Sequence, residues 1–286
     1  MSHNILQKTI TSKISCSGVG LHCGKKINIT LIPAKDNSGI IFRRVDVKDK
    51  NNEIAANYLN VSATNLGTVI RNESGVEVST VEHLMAAIWG CGIDNLLIEI
   101  DGGEVPIMDG SSEPFVFLIE CAGIVSQKDD RREIEILKKV RYEEDGKFIE
   151  VLPAKEFSLN LEVDFKGVGK QKFSYTAISS SFKTDICCAR TFCFKNEIDH
   201  MHKLGLARGG SLKNAIVLNE DGSIINEEGL RYKDELVKHK VLDFIGDMYL
   251  SGYFIVGHFN AFKPGHTINN QLLRKLFSDE SAWRVV

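Results

Sequence analysis

The chain has 286 residues, 43% hydrophobic and 26% charged, the profile of a soluble globular protein long enough for two domains of ordinary size. Its 35 basic and 38 acidic residues leave a net charge of −3, which offers no electrostatic footprint for nucleic acid. Seven cysteines, with no C-x-x-C spacing and with Cys187 and Cys188 adjacent, argue for reduced thiols in a cytoplasmic protein and against a disulfide framework or a zinc ribbon.

The stretch from Met1 to Lys8 lacks the apolar core of a signal peptide. The longest apolar run, Phe115 to Val125, is about half a membrane span and contains Glu120, so no transmembrane segment is expected. Strands open the chain: Lys26 to Ile32 alternates polar and apolar residues before Pro33, and Gly39 to Arg43 follows a turn-rich segment. Gly18 to Lys25 misses both phosphate-loop spacings and reads as a glycine-rich turn. Ser79-Thr80-Val81-Glu82 fits a capping box that starts a helix, with Val81, Leu84, Met85 and Ile88 as its apolar stripe and Gly90 and Gly92 as its stop. A strand from Asn95 to Ile100, a loop through Pro106 to Ser112 and a helix from Pro114 to Ala122 follow.

The polar stretch Ser126 to Glu133 reads as the boundary between an N-terminal α/β domain, 1–125, and a C-terminal one, 126–286. Beyond it come strands at 135–137, 148–151 and 158–163, a helix at about 196–204, a glycine turn at Gly209-Gly210 and a strand at 215–218. Val237, Val241, Phe244, Ile245 and Met248 then form one stripe of an amphipathic helix. A strand at 253–257 and a helix near 270–276 finish the chain, with His266 expected in the loop between them. Val81-Glu82-His83 and Val237-Lys238-His239 each begin a helix that leads through glycine into an apolar strand, which reads as two copies of one α/β unit.

His239, Asp243 and Asp247 recur every four residues opposite the stripe. Because an i, i+4 pair is displaced by only about 40° around a helix, His239 and Asp243 project to one spot. Two such groups make either a solvated face or part of a metal site. If the two copies pack face to face, His83 meets His239 and becomes the third ligand. Three protein ligands with an open fourth position form the pattern of a catalytic zinc site, where the metal lowers the pKa of water to about 7 and polarises a carbonyl. Glu82 has two readings, as a base beside that site or as the third residue of the capping box.

Thr80-Val81-Glu82-His83-Leu84, Pro106-Ile107-Met108-Asp109-Gly110-Ser111, Ala189-Arg190-Thr191-Phe192, His239-Lys240-x-x-Asp243 with Asp247, and Lys263-x-Gly265-His266 with Asn269-Asn270 occur in that order. Together they resemble, over essentially the whole chain, the UDP-3-O-acyl-N-acetylglucosamine deacetylases of lipid A (lipopolysaccharide) biosynthesis. The resemblance implies a zinc amidase that hydrolyses the N-acetyl group of an acylated UDP-glucosamine, a small-molecule substrate, and releases acetate at an early committed step. It implies one Zn2+ per chain, with Fe2+ as the alternative metal, held by His83, His239 and Asp243. It also implies Glu82 as general base, His266 as acid or electrostatic stabiliser oriented by Asp247, Thr191 near the carbonyl oxygen and Lys240 at the diphosphate. An insert at about 192–217 would form a passage for the acyl chain, with Phe192, Phe194, Ile198, Met201, Leu212 and Val217 as its apolar members. Ile198 and Met201 also fit plain core packing. Cys193 and Arg208 depart from the family pattern near this passage.

The fold expected is α+β, two similar domains each with a small mixed sheet and helices on one face, packed helix layer to helix layer. Two rival functions fit parts of the pattern: a non-haem iron oxygenase using the same two-His-one-carboxylate set, and a non-catalytic nucleotide-sugar binding protein. Acetate release together with metal content separates all three.

Overall fold

Alternating apolar and polar residues build two five-stranded mixed sheets. The computed structural model describes residues 5–178 and 181–286; Met1 to Asn4, part of the stretch read for a signal peptide, lie outside the described residues. The first sheet runs in the order Ile14–Val19, Lys26–Pro33, Leu96–Ile100, Ile40–Arg44, Glu53–Ala55. The second runs Val140–Glu144, Lys147–Leu152, His258–Phe262, Ser158–Phe165, Gly169–Thr176. Each sheet is two hairpins separated by a late strand, and in each that late strand is parallel to the first strand of the second hairpin. Alternation decides the faces: Ile27, Ile29 and Leu31 point inward from one strand, Ile149 and Val151 from its counterpart.

Helices complete the repetition. Helix α1 (Glu82–Gly90) precedes the late strand of the first sheet and α2 (Glu113–Ala122) follows it. Between the copies' shared plan lie α3 (Ser181–Asp185) and α4 (Lys195–Lys203), whereas α5 (Glu235–Tyr249) and α6 (His266–Phe277) stand where α1 and α2 stand in the first half. α1 packs directly on α5, so the helix layers of the two halves meet inside. Every residue from Glu82 to Trp89 is buried. A helix so placed has no solvent face, and each fully buried Leu, Met or Ile stabilises it by roughly 1.5–3 kcal/mol. The two backbones come close together at Gly246, where an added Cβ would lie 2.1 Å from the Glu82 carbonyl oxygen.

Three local readings change. The stretch read as the boundary, Ser126 to Glu133, is mostly strand: Ile124–Asp130 pairs antiparallel with Leu6–Ile10. It consists mostly of exposed polar side chains, so it carries no apolar alternation, yet it stays with the N-terminal half through Asp130. The strand His258–Phe262 lies at the centre of the second sheet although its outward residues, His258 and Asn260, are polar; Ser158 and Asn160 on the neighbouring strand hydrogen-bond them. His266 is not in a loop but is the first residue of α6, because the chain turns into the helix directly after Gly265.

Candidate metal centre

His83 on α1 and His239 and Asp243 on α5 converge at this crossing. Their ligand atoms lie within 4.8 Å of one another. Asp243 Oδ1 is 3.3 Å from His239 Nε2 and 3.5 Å from His83 Nε2, and the two imidazoles stand edge to face with centroids 4.9 Å apart. All three residues are buried, so the face that could have been solvated is sealed by the opposing helix.

The donor chemistry calls for a cation. Burial holds the His239 imidazole down to about 3, so the ring is neutral. Its Nδ1 lies 3.0 Å from the Ala189 carbonyl oxygen, an acceptor only, so the proton sits on Nδ1 and the Nε2 lone pair faces Asp243. Burial would raise the Asp243 carboxyl, but the imidazoles and the Lys240 ammonium hold it well below the usual carboxylate range. Lone pair therefore faces carboxylate, and Asp243 Oδ1 is buried with no hydrogen-bond donor. An ion between them satisfies both. Lys240 occupies the other side: its Nζ donates to Asp243 Oδ2 at 2.7 Å. It is thus coupled to the Asp243 carboxylate, which its position about 100° around the helix from His239 did not reveal.

Around these three residues stand two more titratable groups, Glu82 and His266. Glu82 forms no capping box: α1 begins at Glu82 itself, Val81 is the N-cap without a side-chain bond, and Ser79 Oγ donates to the Gly103 carbonyl instead. Thr80, at φ 57°, takes a left-handed conformation and turns Glu82 inward, at a cost of about 1–3 kcal/mol. Glu82 Oε2 accepts from the Thr68 amide at 3.0 Å, and burial raises the carboxyl above its ordinary range. Its Oε1 is 3.9 Å from His266 Nε2. Burial alone would depress His266, but the charge of Asp247, then that of Glu82, and the 2.8 Å Asp247 bond to Nδ1 outweigh it and lift the imidazole to about 9. Asp247 is fixed in turn by Thr68 Oγ1 at 2.6 Å and Asn269 Nδ2 at 2.8 Å. Thr68 thus holds both carboxylates, one with its amide and one with its hydroxyl. No spacing pattern marks it in the sequence.

Two cavities share walls here. The first, about 510 Å³, is lined by Glu82, His83, Thr191, His239, Lys240, Asp243 and His266, with Lys147 and Lys263 at its rim. The second, about 400 Å³, is bounded by Ile198, Met201, Leu212, Ala215, Val217 and Ile225 and shares Leu21, Leu66, Thr191 and Phe192 with the first. Its frame is the parallel pair Phe192–Phe194 and Ile216–Leu218 bridged by α4. Cys193 lines it, its thiol pushed up to about 11 by burial. Phe194 does not share that wall; it packs with Ile216, Leu218 and Leu236 behind it. Arg208 lies against Gly24 and Gly205, where the insert meets the glycine-rich turn.

The sequence-predicted residues Glu82, His83, Thr191, His239, Lys240, Asp243 and His266 thus gather around one cavity, with Asp247 directly behind His266. Among the described residues, no helix is long and apolar enough to cross a membrane. Comparison with known proteins adds a separate observation. A family model described as UDP-3-O-acyl N-acetylglycosamine deacetylase matches residues 7–278. The UDP-3-O-acyl-N-acetylglucosamine deacetylase of Idiomarina loihiensis is 48% identical over 286 residues, 99% of this chain and 93% of that protein. The protein of the same name from Vibrio parahaemolyticus serotype O3:K6 is 46% identical over 283 residues, 98% and 92% of the two chains.

Proposed function

The chain belongs to the UDP-3-O-acyl N-acetylglycosamine deacetylase family, and from that premise we propose how its residues carry out the reaction. It hydrolyses the N-acetyl group of UDP-3-O-acyl-N-acetylglucosamine: water adds to the acetyl carbon, the C–N bond breaks, and acetate and a free amine leave. The observation that carries the residue-level reading is the meeting of the His83 and His239 Nε2 atoms with the donor-less Asp243 Oδ1. We take the ion as zinc, one per chain, held by these three residues. Bound there, it would polarise the amide carbonyl and acidify a water.

The rest is done by side chains. Glu82, its carboxyl raised by burial, accepts the proton of the attacking water. His266, kept cationic by Asp247, faces Glu82 and meets the charge that develops on the carbonyl oxygen; the leaving nitrogen departs as the amine with a proton from this pair, either the one Glu82 took from water or one from His266. Thr191 stands where the two cavities join, a place for the acetamido group between sugar and acyl chain. Lys240, on the wall of the polar cavity, meets the diphosphate as well as Asp243. The acyl chain follows the apolar cavity past Phe192, Ile198, Leu212 and Val217, while Phe194 supports that wall from behind.

Two domains joined after Asp130, rather than at Val125, each contribute one helix to the centre. A cytoplasmic setting belongs to the same proposal, supported by seven cysteines all present as free thiols. The iron oxygenase and the nucleotide-sugar binding protein are not favoured, since neither accounts for Glu82, His266 and Asp247 arranged as an acid–base group. Acetate released from the acylated UDP-sugar by protein of measured metal content tests the proposal. Stoichiometric zinc with acetate release is expected; full metal occupancy in His239→Ala protein would refute the ligand set, and release unchanged in protein stripped of metal would refute metal-dependent hydrolysis.

A further inference from the structure

The segment Cys187-Cys188-Ala189 has no part in the reaction, yet it is tied to both histidine ligands. The Cys187 carbonyl accepts from the Ser112 amide at 2.9 Å, and Ser112 Oγ donates to the His83 carbonyl at 2.7 Å. Two residues on, the Ala189 carbonyl accepts the Nδ1 proton of His239 at 3.0 Å. The two thiols lie beside this brace, with their sulfurs 3.6 Å apart. Cys187 is buried, with its Sγ 3.0 Å from the Lys183 carbonyl oxygen and its proton free to turn to Cys188, whereas Cys188 is partly exposed.

We propose that Cys187-Cys188 is a peroxide-oxidisable dithiol, a modification site whose closure to a disulfide loosens the hold on His83 and His239. The exposed thiol reacts first. The Cys187 S–H beside it and the neighbouring Tyr232 hydroxyl stabilise the Cys188 thiolate, lowering it to about 7, while the same contact and burial raise Cys187. The Cys188 thiolate attacks one oxygen of hydrogen peroxide, the O–O bond breaks, and sulfenic acid and hydroxide form; a proton turns the hydroxide into water. The Cys187 sulfur then displaces the sulfenic oxygen, which leaves as a second water with the Cys187 proton, and the S–S bond forms. Overall, two thiols and one peroxide give one disulfide and two waters.

Closure must alter the backbone. The sulfurs have to approach to about 2.05 Å, and adjacent Cα atoms, about 3.8 Å apart, lie closer than disulfides normally allow. The peptide between the two cysteines has to twist, and its carbonyl is the one that Ser112 holds. Twisting it frees Ser112, and through Ser112 the backbone of His83, and moves the adjoining Ala189 carbonyl from His239. The ring is strained and so is readily reopened by thiols.

The metal arm of this proposal rests on the ligand reading above; closure itself is read on the protein alone. Zinc-loaded protein is exposed to hydrogen peroxide, alkylated and cut with trypsin, which yields Thr184 to Arg190 as one peptide with both cysteines and no others. Loss of two hydrogens from that peptide is expected, with both alkylation sites restored by dithiothreitol and zinc release tracking closure. In Cys188→Ser protein, zinc release under peroxide should slow by roughly tenfold or more. In Cys187→Ser protein, Cys188 should oxidise to an open sulfenic or sulfinic acid with zinc retained. Both thiols still alkylatable while Cys121 or Cys193 is oxidised would overturn the site. Closure without zinc release, or release at the parent rate from both variants, would overturn the coupling.

Discussion

The candidate metal centre and the apolar cavity beside it are built in opposite ways. The centre rests on α1 and α5, which are buried on nearly every side and cross with backbone contact at Gly246. The passage rests on two three-residue strands and on α4, which has no fully buried residue. Ligand atoms must be held to a few tenths of an ångström, because a displaced ligand loses its bond to the metal. A row of methylenes needs only apolar surface of about the right shape, since hydrophobic burial is non-directional. Rigidity is therefore concentrated where direction matters, and substitutions in the two regions should differ in kind.

The largest effect should come from Glu82→Gln. Glutamine accepts the Thr68 amide as glutamate does but cannot take up a proton, so turnover should fall by roughly 10²–10⁴. Steady-state rates with metal analysis and thermal melts check this: metal and melting temperature should be kept. A folded, metal-loaded variant within a few-fold of full activity would move the base elsewhere, with His266 the first candidate.

Gly246→Ala tests the crossing itself. Its methyl group would press into the Glu82 backbone, which should cost about 1–3 kcal/mol in a urea unfolding curve and weaken metal binding with it. Unchanged stability and full metal occupancy would mean that the close approach is not what fixes the centre.

The pH profile probes His266. Its folded value, about 9, lies above the unfolded value of about 6.5, so its favourable charge is fully present below about 6.5 and is lost as pH rises through about 9. Activity should fall on an alkaline limb near that value. Asp247→Asn removes the negative charge that does most to raise the imidazole, and the limb should move to lower pH. A limb left in place by that substitution would remove His266 from the titration.

Smallest of all should be Met201→Ala in the passage. Met201 is only partly buried, so stability should change by less than about 1 kcal/mol and metal content not at all. KM should rise a few-fold for long acyl chains, with kcat unchanged. An equal loss of kcat on substrates of every acyl length would show that the two regions are not as separate as their construction implies.

Much of this was legible in the chain. Periodicity located α5 and put His239 and Asp243 on one side of it, because their angular separation on a helix is a property of four consecutive peptide units. Alternation and apolar runs found three strands of the first sheet and two of the second, and the ordered motifs pointed to the family. What the sequence left open are contacts between distant segments. Whether the His239 side of α5 met water or protein depended on α1, 156 residues away, docking at Gly246. The capping box at Ser79 satisfied the local rule, yet the Gly103 carbonyl took Ser79 and the Thr68 amide took Glu82. Thr68, 14 residues before Glu82 and 179 before Asp247, joins the two, a role no local pattern encodes. Local preferences are set by a residue's immediate neighbours along the chain; which polar groups find partners in the interior is set by how the finished layers pack, and only the tertiary structure decides that.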